Sequence, residues 1–503
     1  FPVKGIGGIK EASPYGAMNV IEKNKSLQVR INAFKASESV VTIKSGEKTQ
    51  TQTLKTTPNS THVLYFSKPI GNYSIDAPGL ELHYDLQPPL IKRSFENPDV
   101  IAQNTLEKTF LKAKDAQRYR DFTSAEKLLI EIIEDDPLHL EARKELSSLY
   151  FRNGDYDQSL SFANTGLQID AYHIGLNYCA GIAYLARKDW INAKEHLGWA
   201  ARSMAYRSTA NTLLAQINMI EKKYSDAKHY NDIALKYNTE NINALSQQAL
   251  LYRIMGEKEN AIQTISAIEK IDPINHFAVY EKHLLGEADE NAVSDSHKSE
   301  FPYQTFLELA LFYHNRNENS EAIKILKSGP KHLLNSLWLA YLNQNHMALS
   351  ALDNESIAFV FPFRRESLNM MEWVVANNPS WKAKYLMGLN LMGRAQMEKG
   401  IEIFKDLGQT PRDHLFYFIR GMLFKEHQMS GYQKDLQKAY HQSPKNWRYA
   451  FSLAEDHFES GNVLAALKII QKTYKQDKDN YFAGMLLAQT LNKLKDYDKA
   501  IGL

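Results

Sequence analysis

Residues 359–365 read FVFPFRR: Phe359, Phe361 and Phe363 alternate about Pro362, and Arg364 and Arg365 follow. Aromatic faces suit sugar rings, and guanidinium groups suit carboxylates. Pro362 holds its neighbour extended, so an ordered aromatic stretch is expected to lead into a helix carrying Glu366 and Glu372. Two readings fit. The rings plug a seam and the arginines pair with nearby carboxylates, or Phe361, Phe363, Arg364 and Arg365 face a ligand. Trp199 and Arg202 form a second cluster, near Trp190 and Arg207. It reads either as packing with a surface ion pair or as a contact to a partner's carboxylate.

Nothing in the chain assembles covalent chemistry. There is no His-Glu-x-x-His helix, no Gly-x-Ser-x-Gly elbow and no Walker loop. Gly5, Gly7 and Gly8 lack the Lys-Ser/Thr and the helix of a phosphate loop, so a turn is expected. His276, Glu281 and His283 are spaced by 5 and 2, which does not put all three on one helical face. Cys179 is the one cysteine. That rules out an intrachain disulfide or a Cys-rich zinc site and suits a small buried apolar residue. No catalytic residue, cofactor or metal is expected.

The elements that carry these groups are set by a ladder. Ala125, Ser159, Ala193, Ala227 and Ala261 each follow the last by 34 residues, the length of a helix–turn–helix unit that stacks into an array. Tyr150, Tyr184 and Tyr252 stand 9 before a rung, Gly154 and Gly256 stand 5 before, and Pro137 and Pro273 stand 12 after. A small side chain lets antiparallel helices approach. Gly ends the first helix in a left-handed conformation, and Pro stops the second.

These residues resemble the tetratricopeptide repeat across about 105–275, in five units sharing one register. Gly181 fills that family's glycine position on the first helix. Ser159 and Gly166 depart from its two helix-B alanines. The resemblance implies a ligand groove on a concave face lined by the first helix of each pair. By position, Phe151, Arg152, Tyr178, Gln216, Asn243 and Arg253 fall on it. The mixture is apolar and amide-rich. It lacks the cations of a clamp for acidic termini and favours a helix or strand laid in the groove.

At 503 residues the chain exceeds a single core. Its 60 basic and 58 acidic residues leave a net charge of +2, which argues against nucleic acid as the main partner. No apolar run reaches the ~18 residues of a membrane helix. Residues 1–17 read as a linker or domain edge, and 18–92 as a small immunoglobulin-like β-sandwich. Its faces are Leu27/Val29/Ile31, Val41/Ile43, Val63/Tyr65, Tyr73/Ile75 and Leu80/Leu82/Tyr84. A Pro-rich hinge is expected at 87–98. A first repeat block follows at 99–285, a polar loop at 286–303 and a second block at 304–503. The fold class is thus mostly α, a tetratricopeptide-type α-solenoid (superhelix) with a small N-terminal β-sandwich. The chain begins with Phe1 and stops three residues after Ala500, so it reads as part of a longer protein.

The whole chain also looks like the C-terminal portion of a bacterial family in which a galactose-mutarotase-like domain precedes a small β domain and a long repeat array. The phrases FPVKGIG (1–7), HLGWAARS (196–203), DPINHFAVYEKHLL (272–285) and VFPFRRESL (360–368) carry the likeness. It implies carbohydrate chemistry in an upstream domain. The expected function is a non-catalytic scaffold holding a protein segment or sister domain. The alternative is the accessory half of a sugar-processing enzyme that contacts carbohydrate.

Overall fold

The computed structural model describes residues 5–87, 105–296 and 300–502. The hinge read at 87–98 lies almost wholly outside the described residues, as do the first four residues of the 1–17 stretch. The described chain divides into two compact units, one ending at Leu342 and one beginning at Asn343.

The first unit opens on eight antiparallel strands: β1 (Glu11–Ser13), β2 (Gly16–Glu22), β3 (Ser26–Ala33), β4 (Ser37–Ser45), β5 (Lys48–Thr56), β6 (Ser60–Ser67), β7 (Ser74–Ala77) and β8 (Leu82–Asp85). They form two four-stranded sheets, ordered β1-β2-β3-β6 and β5-β4-β7-β8. Strand β1 lies inside the stretch read as linker. Leu27, Val29, Ile31, Val41, Ile43 and Ile75 fill the core between the sheets. Val63 and Tyr65 do share a face, but it is the solvent face. Val29 pairs with Leu64 and Leu27 with Phe66, and directly paired residues point the same way, so Leu64 and Phe66 turn inward.

Helices then pair as hairpins: α1 (Thr105–Arg118) with α2 (Phe122–Asp135), α3 (Leu140–Asn153) with α4 (Tyr156–Ile169), and α5 (Ile174–Ala186) with α6 (Trp190–Ala200). Next come α7 (Met204–Ile220) with α8 (Tyr224–Tyr237), α9 (Ile242–Ile254) with α10 (Lys258–Ile271), α11 (His276–Leu284) with α12 (Glu290–Ser296), and α13 (Pro302–His314) with α14 (Asn319–Ser328). Helix α15 (Leu333–Leu342) closes the unit. The expected polar loop at 286–303 therefore contains α12 and the start of α13. The second unit begins with a 3-10 stretch, His346–Asn354, and α16 (Ser367–Asn377). Four hairpins follow: α17 (Trp381–Met392) with α18 (Met397–Asp406), α19 (His414–Glu426) with α20 (Tyr432–Gln442), α21 (Trp447–Glu459) with α22 (Val463–Gln476), and α23 (Tyr481–Lys493) with α24 (Tyr497–Ile501).

All five rungs of the ladder are fully buried. Ser159 tolerates this because its hydroxyl donates to the Ser147 carbonyl, while the Ser147 hydroxyl donates to the Ser159 carbonyl, each at 2.8 Å. Every hairpin turn in this block has a left-handed residue five before its rung: Arg120, Gly154, Lys188, Lys222 and Gly256, with φ from 60° to 78°. Asp121, Asp155 and Asp189 cap the second helices by accepting the amides of Ser124, Gln158 and Asn192. First helices of successive pairs touch one another, α3 on α5, α5 on α7 and α7 on α9. They form the inner face of the stack.

Candidate functional site

The sequence placed Gln216, Asn243 and Arg253 on the inner face as ligand contacts. In the structure, the chain itself takes up two of them. The Gln216 side-chain amide donates to the Asn315 carbonyl at 2.9 Å, bringing the α13–α14 turn onto α7. Arg316, beside it, reaches Gln247 on α9. Arg253 grips Glu281 at two points, 2.6 and 3.1 Å, and the Tyr313 hydroxyl donates to the same carboxylate at 2.6 Å. Burial opposes the Arg253 charge, but Glu281 outweighs it and holds the guanidinium above its ordinary range. Glu281 is fully buried in this cluster, so it belongs to the packing of α9, α11 and α13. Eight consecutive residues of α9, Ala244 to Leu251, are buried; the inner face is closed there, and Asn243 remains exposed at its edge.

Towards α3 the face stays open. A pocket of about 470 Å³ lies at the N-terminal ends of α3, α5 and α7, with Glu141, Lys144, Tyr172, His173, Ser203 and Tyr206 in its wall. Its floor is a charge network. Lys144 sits between Glu141 and Glu145, and Lys114 also meets Glu145 at 2.8 Å. Burial works against the Lys144 charge, but the two carboxylates outweigh it and hold its pKa above the ordinary value. His173 caps α5 by accepting the Leu176 amide on Nδ1, so its proton sits on Nε2, 3.2 Å from Glu141. The Lys144 stem crosses α5 where Gly175 leaves room; a Cβ there would stand 2.5 Å from Lys144 Cδ.

The wall is aromatic. Tyr206 packs on Tyr178 with ring centroids 4.8 Å apart, and burial raises the Tyr206 phenol above its ordinary pKa. The Tyr206 hydroxyl has no hydrogen bond among the described residues. Tyr172 stands edge-on to Trp199 at 4.8 Å, and the Arg202 guanidinium lies 3.8 Å over the Trp199 ring. Three residues singled out from sequence, Tyr178, Trp199 and Arg202, do not line the pocket but stand behind it, Tyr178 against Tyr206 and Trp199, with Arg202 over its ring, against Tyr172. Phe151 and Arg152 do not join them: Phe151 packs on Tyr156, and Arg152 lies over the Phe122 ring. Tyr172, His173 and Tyr206 were not singled out. The signal for His173 was present, since His139 caps α3 in the same way 34 residues earlier.

In the second unit, the aromatic stretch ahead of α16 alternates as its sequence does, with the rings outward. Phe359, Phe361 and Phe363 are 73%, 50% and 53% exposed, while Val360 and Pro362 are buried. Buried Asn390 on α17 fixes the stretch by donating to the carbonyls of Pro362 and Arg364. The Arg364 guanidinium stands 5.5 Å from the Phe363 ring, and Arg365 lies 3.6 Å from Glu366. Among the described residues no cluster of His, Cys, Asp and Glu is arranged to hold a metal, and no helix is long and apolar enough to cross a membrane.

A tetratricopeptide-repeat family model matches residues 110–174. A second model, described as anaphase-promoting complex, cyclosome, subunit 3, matches 436–503. With the paired helices of both units, the match at 110–174 defines the class of fold: stacked helix pairs of the tetratricopeptide-repeat type, preceded by a small β-sandwich. Among solved structures, the chain is similar to PilW, a type IV pilus biogenesis factor, at 16% identity, 41% of this chain, 100% of that one and a TM-score of 0.36. It is similar to Pseudomonas aeruginosa pilF at 16%, 43%, 96% and 0.36. It is also similar to YrrB, a repeat protein with an unusual peptide-binding site, at 16%, 45%, 97% and 0.28. No curated protein matches the chain.

Proposed function

We propose that this chain is a non-catalytic scaffold that holds a polypeptide segment, from a partner or a sister domain, against the inner face formed by α3, α5 and α7. The observation that carries this is the pocket at their N-terminal ends. It couples an aromatic wall to a fixed charge network, and the Tyr206 hydroxyl in it lacks a partner within the described chain. The neighbouring face at α7–α9 is covered by the α13–α14 turn, so a segment lies on the α3 side and ends against that turn. Random peptides selected by phage display on the intact chain test this. Tyr206→Ala and Tyr172→Ala are expected to weaken the selected peptides at least tenfold, the effect of losing an aromatic anchor of about 1.4 kcal/mol or more. Tyr119→Ala, an exposed site elsewhere, is expected to change nothing. Equal binding by all three variants removes the pocket from the interaction.

We also propose a second reading, favoured by the outward rings of Phe361 and Phe363 beside Arg364. Here the chain is the accessory half of a carbohydrate-processing protein whose mutarotase-like domain lies upstream, and this stretch touches sugar. Oligosaccharide binding measured before and after Phe363→Ala and Arg364→Ala decides it, and unchanged binding rejects the contact.

A further inference from the structure

Burying a charge costs several kcal/mol unless an opposite charge and hydrogen bonds answer it. Arg253 and Arg420 follow that rule, each meeting a carboxylate at two points, Glu281 and Asp435. Arg316, in the α13–α14 turn, does not. It is 6% exposed. Its Nε donates to Gln247 Oε1 at 3.0 Å, and Nη1 donates to the Phe312 carbonyl at 2.8 Å. The guanidinium carbon stands 3.7 Å from the Phe312 ring centroid. No carboxylate pairs with it among the described residues, and its Nη2 carries no hydrogen bond there. Burial pushes the guanidinium down to about 9, which still leaves it charged at neutral pH. The group is also held in place. The Gln247 amide nitrogen donates to the Thr212 carbonyl and to Asn231 at 3.1 and 3.3 Å, which turns its oxygen towards Arg316.

We propose that Arg316 anchors a carboxylate of the bound polypeptide, an acidic side chain or a chain terminus, through the Nη1–Nη2 edge. The proposal rests on the reading that the inner face takes a polypeptide, and it names the chemistry at the end of that face where the α13–α14 turn meets α7 and α9. A carboxylate fits better than a phosphate. One guanidinium offsets a monoanion, whereas a phosphate dianion leaves buried negative charge unanswered.

The test uses small probes on the full chain at constant ionic strength, with chloride as the exchanged ion. N-acetylglycine stands for a terminus, the α-methylamide of N-acetylaspartate for a side chain, and inorganic phosphate for the competing chemistry. A saturable rise in Tm is expected with at least one carboxylate probe, a smaller one with phosphate, and none with any probe in Arg316→Met. Arg187→Met, at an exposed ion pair, is expected to keep the response. Without probe, Arg316→Met sets the relief of a desolvated charge against an orphaned Gln247 Oε1, so each probe response is read as a shift from that variant's own Tm. Should Arg316→Met fail to fold by circular dichroism, Arg316→Gln serves in its place. No carboxylate-specific shift, or a shift that survives loss of Arg316, overturns the anchor. The selected-peptide experiment at Tyr206 is unaffected by that result, so failure here and failure of the polypeptide reading are separable.

Discussion

At single positions, the spacing between helices decides which small residue is tolerated. Gly181 on α5 faces α6, and a Cβ there would stand 2.8 Å from Leu197 Cγ and 3.1 Å from the Leu197 amide nitrogen. Backbone cannot retreat as a side-chain tip can, so Gly181→Ala is expected to lower stability by about 1–3 kcal/mol. Gly198 on α6 has nothing within 4 Å of the same construction. There the helix gains from a side chain, and Gly198→Ala is expected to raise stability by about 1 kcal/mol. Urea melts of the two variants against wild type give opposite signs; the same sign for both contradicts the packing argument. Cys179 is governed by the same close approach. It is buried, and burial pushes its thiol up to about 12, so the thiolate that reacts with disulfide reagents is scarce at neutral pH. In native protein it is expected to react with a disulfide reagent only as fast as the fold opens, and a rapid reaction in buffer would show the site to be accessible.

The ladder of small residues made the helix pairs legible in the sequence, because close packing demands small side chains at fixed intervals. The turns were only half legible. Gly154 and Gly256 announced a left-handed residue five before the rung, yet Arg120, Lys188 and Lys222 adopt the same conformation with no glycine to mark it. Each turn is held by a bond from the amide four before the rung to the carbonyl nine before it, as from Asp155 to Tyr150 and from Asp189 to Tyr184. The turn therefore dictates the backbone, and the residue follows. A left-handed conformation costs a residue with a Cβ about 1–2 kcal/mol. Lys188→Gly and Lys222→Gly, both at exposed positions, relieve that strain and also enlarge the unfolded ensemble. We expect a net gain of about 1 kcal/mol each, read as a higher urea midpoint at unchanged slope. A lower midpoint would mean that these side chains matter in ways the turn geometry does not show. The pocket was less legible for a related reason. Tyr172 and Tyr206 sit in or just after the inter-repeat turns, where the 34-residue register imposes no residue type. The closure of α7 and α9 by Asn315 and Arg316 joins residues 99 and 69 apart in sequence, beyond any periodic signal.

Across the molecule, one chemical habit recurs: a buried or half-buried tyrosine sets its hydroxyl on a carboxylate. Tyr73 donates to Glu22 in the sandwich, Tyr150 to Glu126 between α3 and α2, and Tyr280 to Glu321 and Tyr313 to Glu281 beneath the closed part of the inner face. In each, burial first and the neighbouring carboxylate second lift the phenol above its ordinary range. The sign of the pH effect follows. An unfolded phenol loses its proton near pH 10, while the folded one keeps it, so the native state binds more protons above that pH. The stability these groups contribute is complete below pH 10 and is lost as pH rises from there towards the folded values. Thermal stability is therefore expected to hold level from pH 8 to about 10 and then fall steeply. Phenolate absorbance should rise in two phases, the exposed tyrosines such as Tyr119 near pH 10 with the helices intact, and the buried ones together with the loss of helical circular dichroism. Tyr313→Phe separates the parts. It should lower stability at pH 8 by about 1.5–3 kcal/mol, the worth of a hydrogen bond to a charged group. It should also make the decline above pH 10 shallower by about one proton, or about 1.4 kcal/mol per pH unit. If Tyr313→Phe instead removes a phenol that titrates near pH 10 while the helices stay intact, that hydroxyl is open to water, and the carboxylate beneath it does not hold the repeats together.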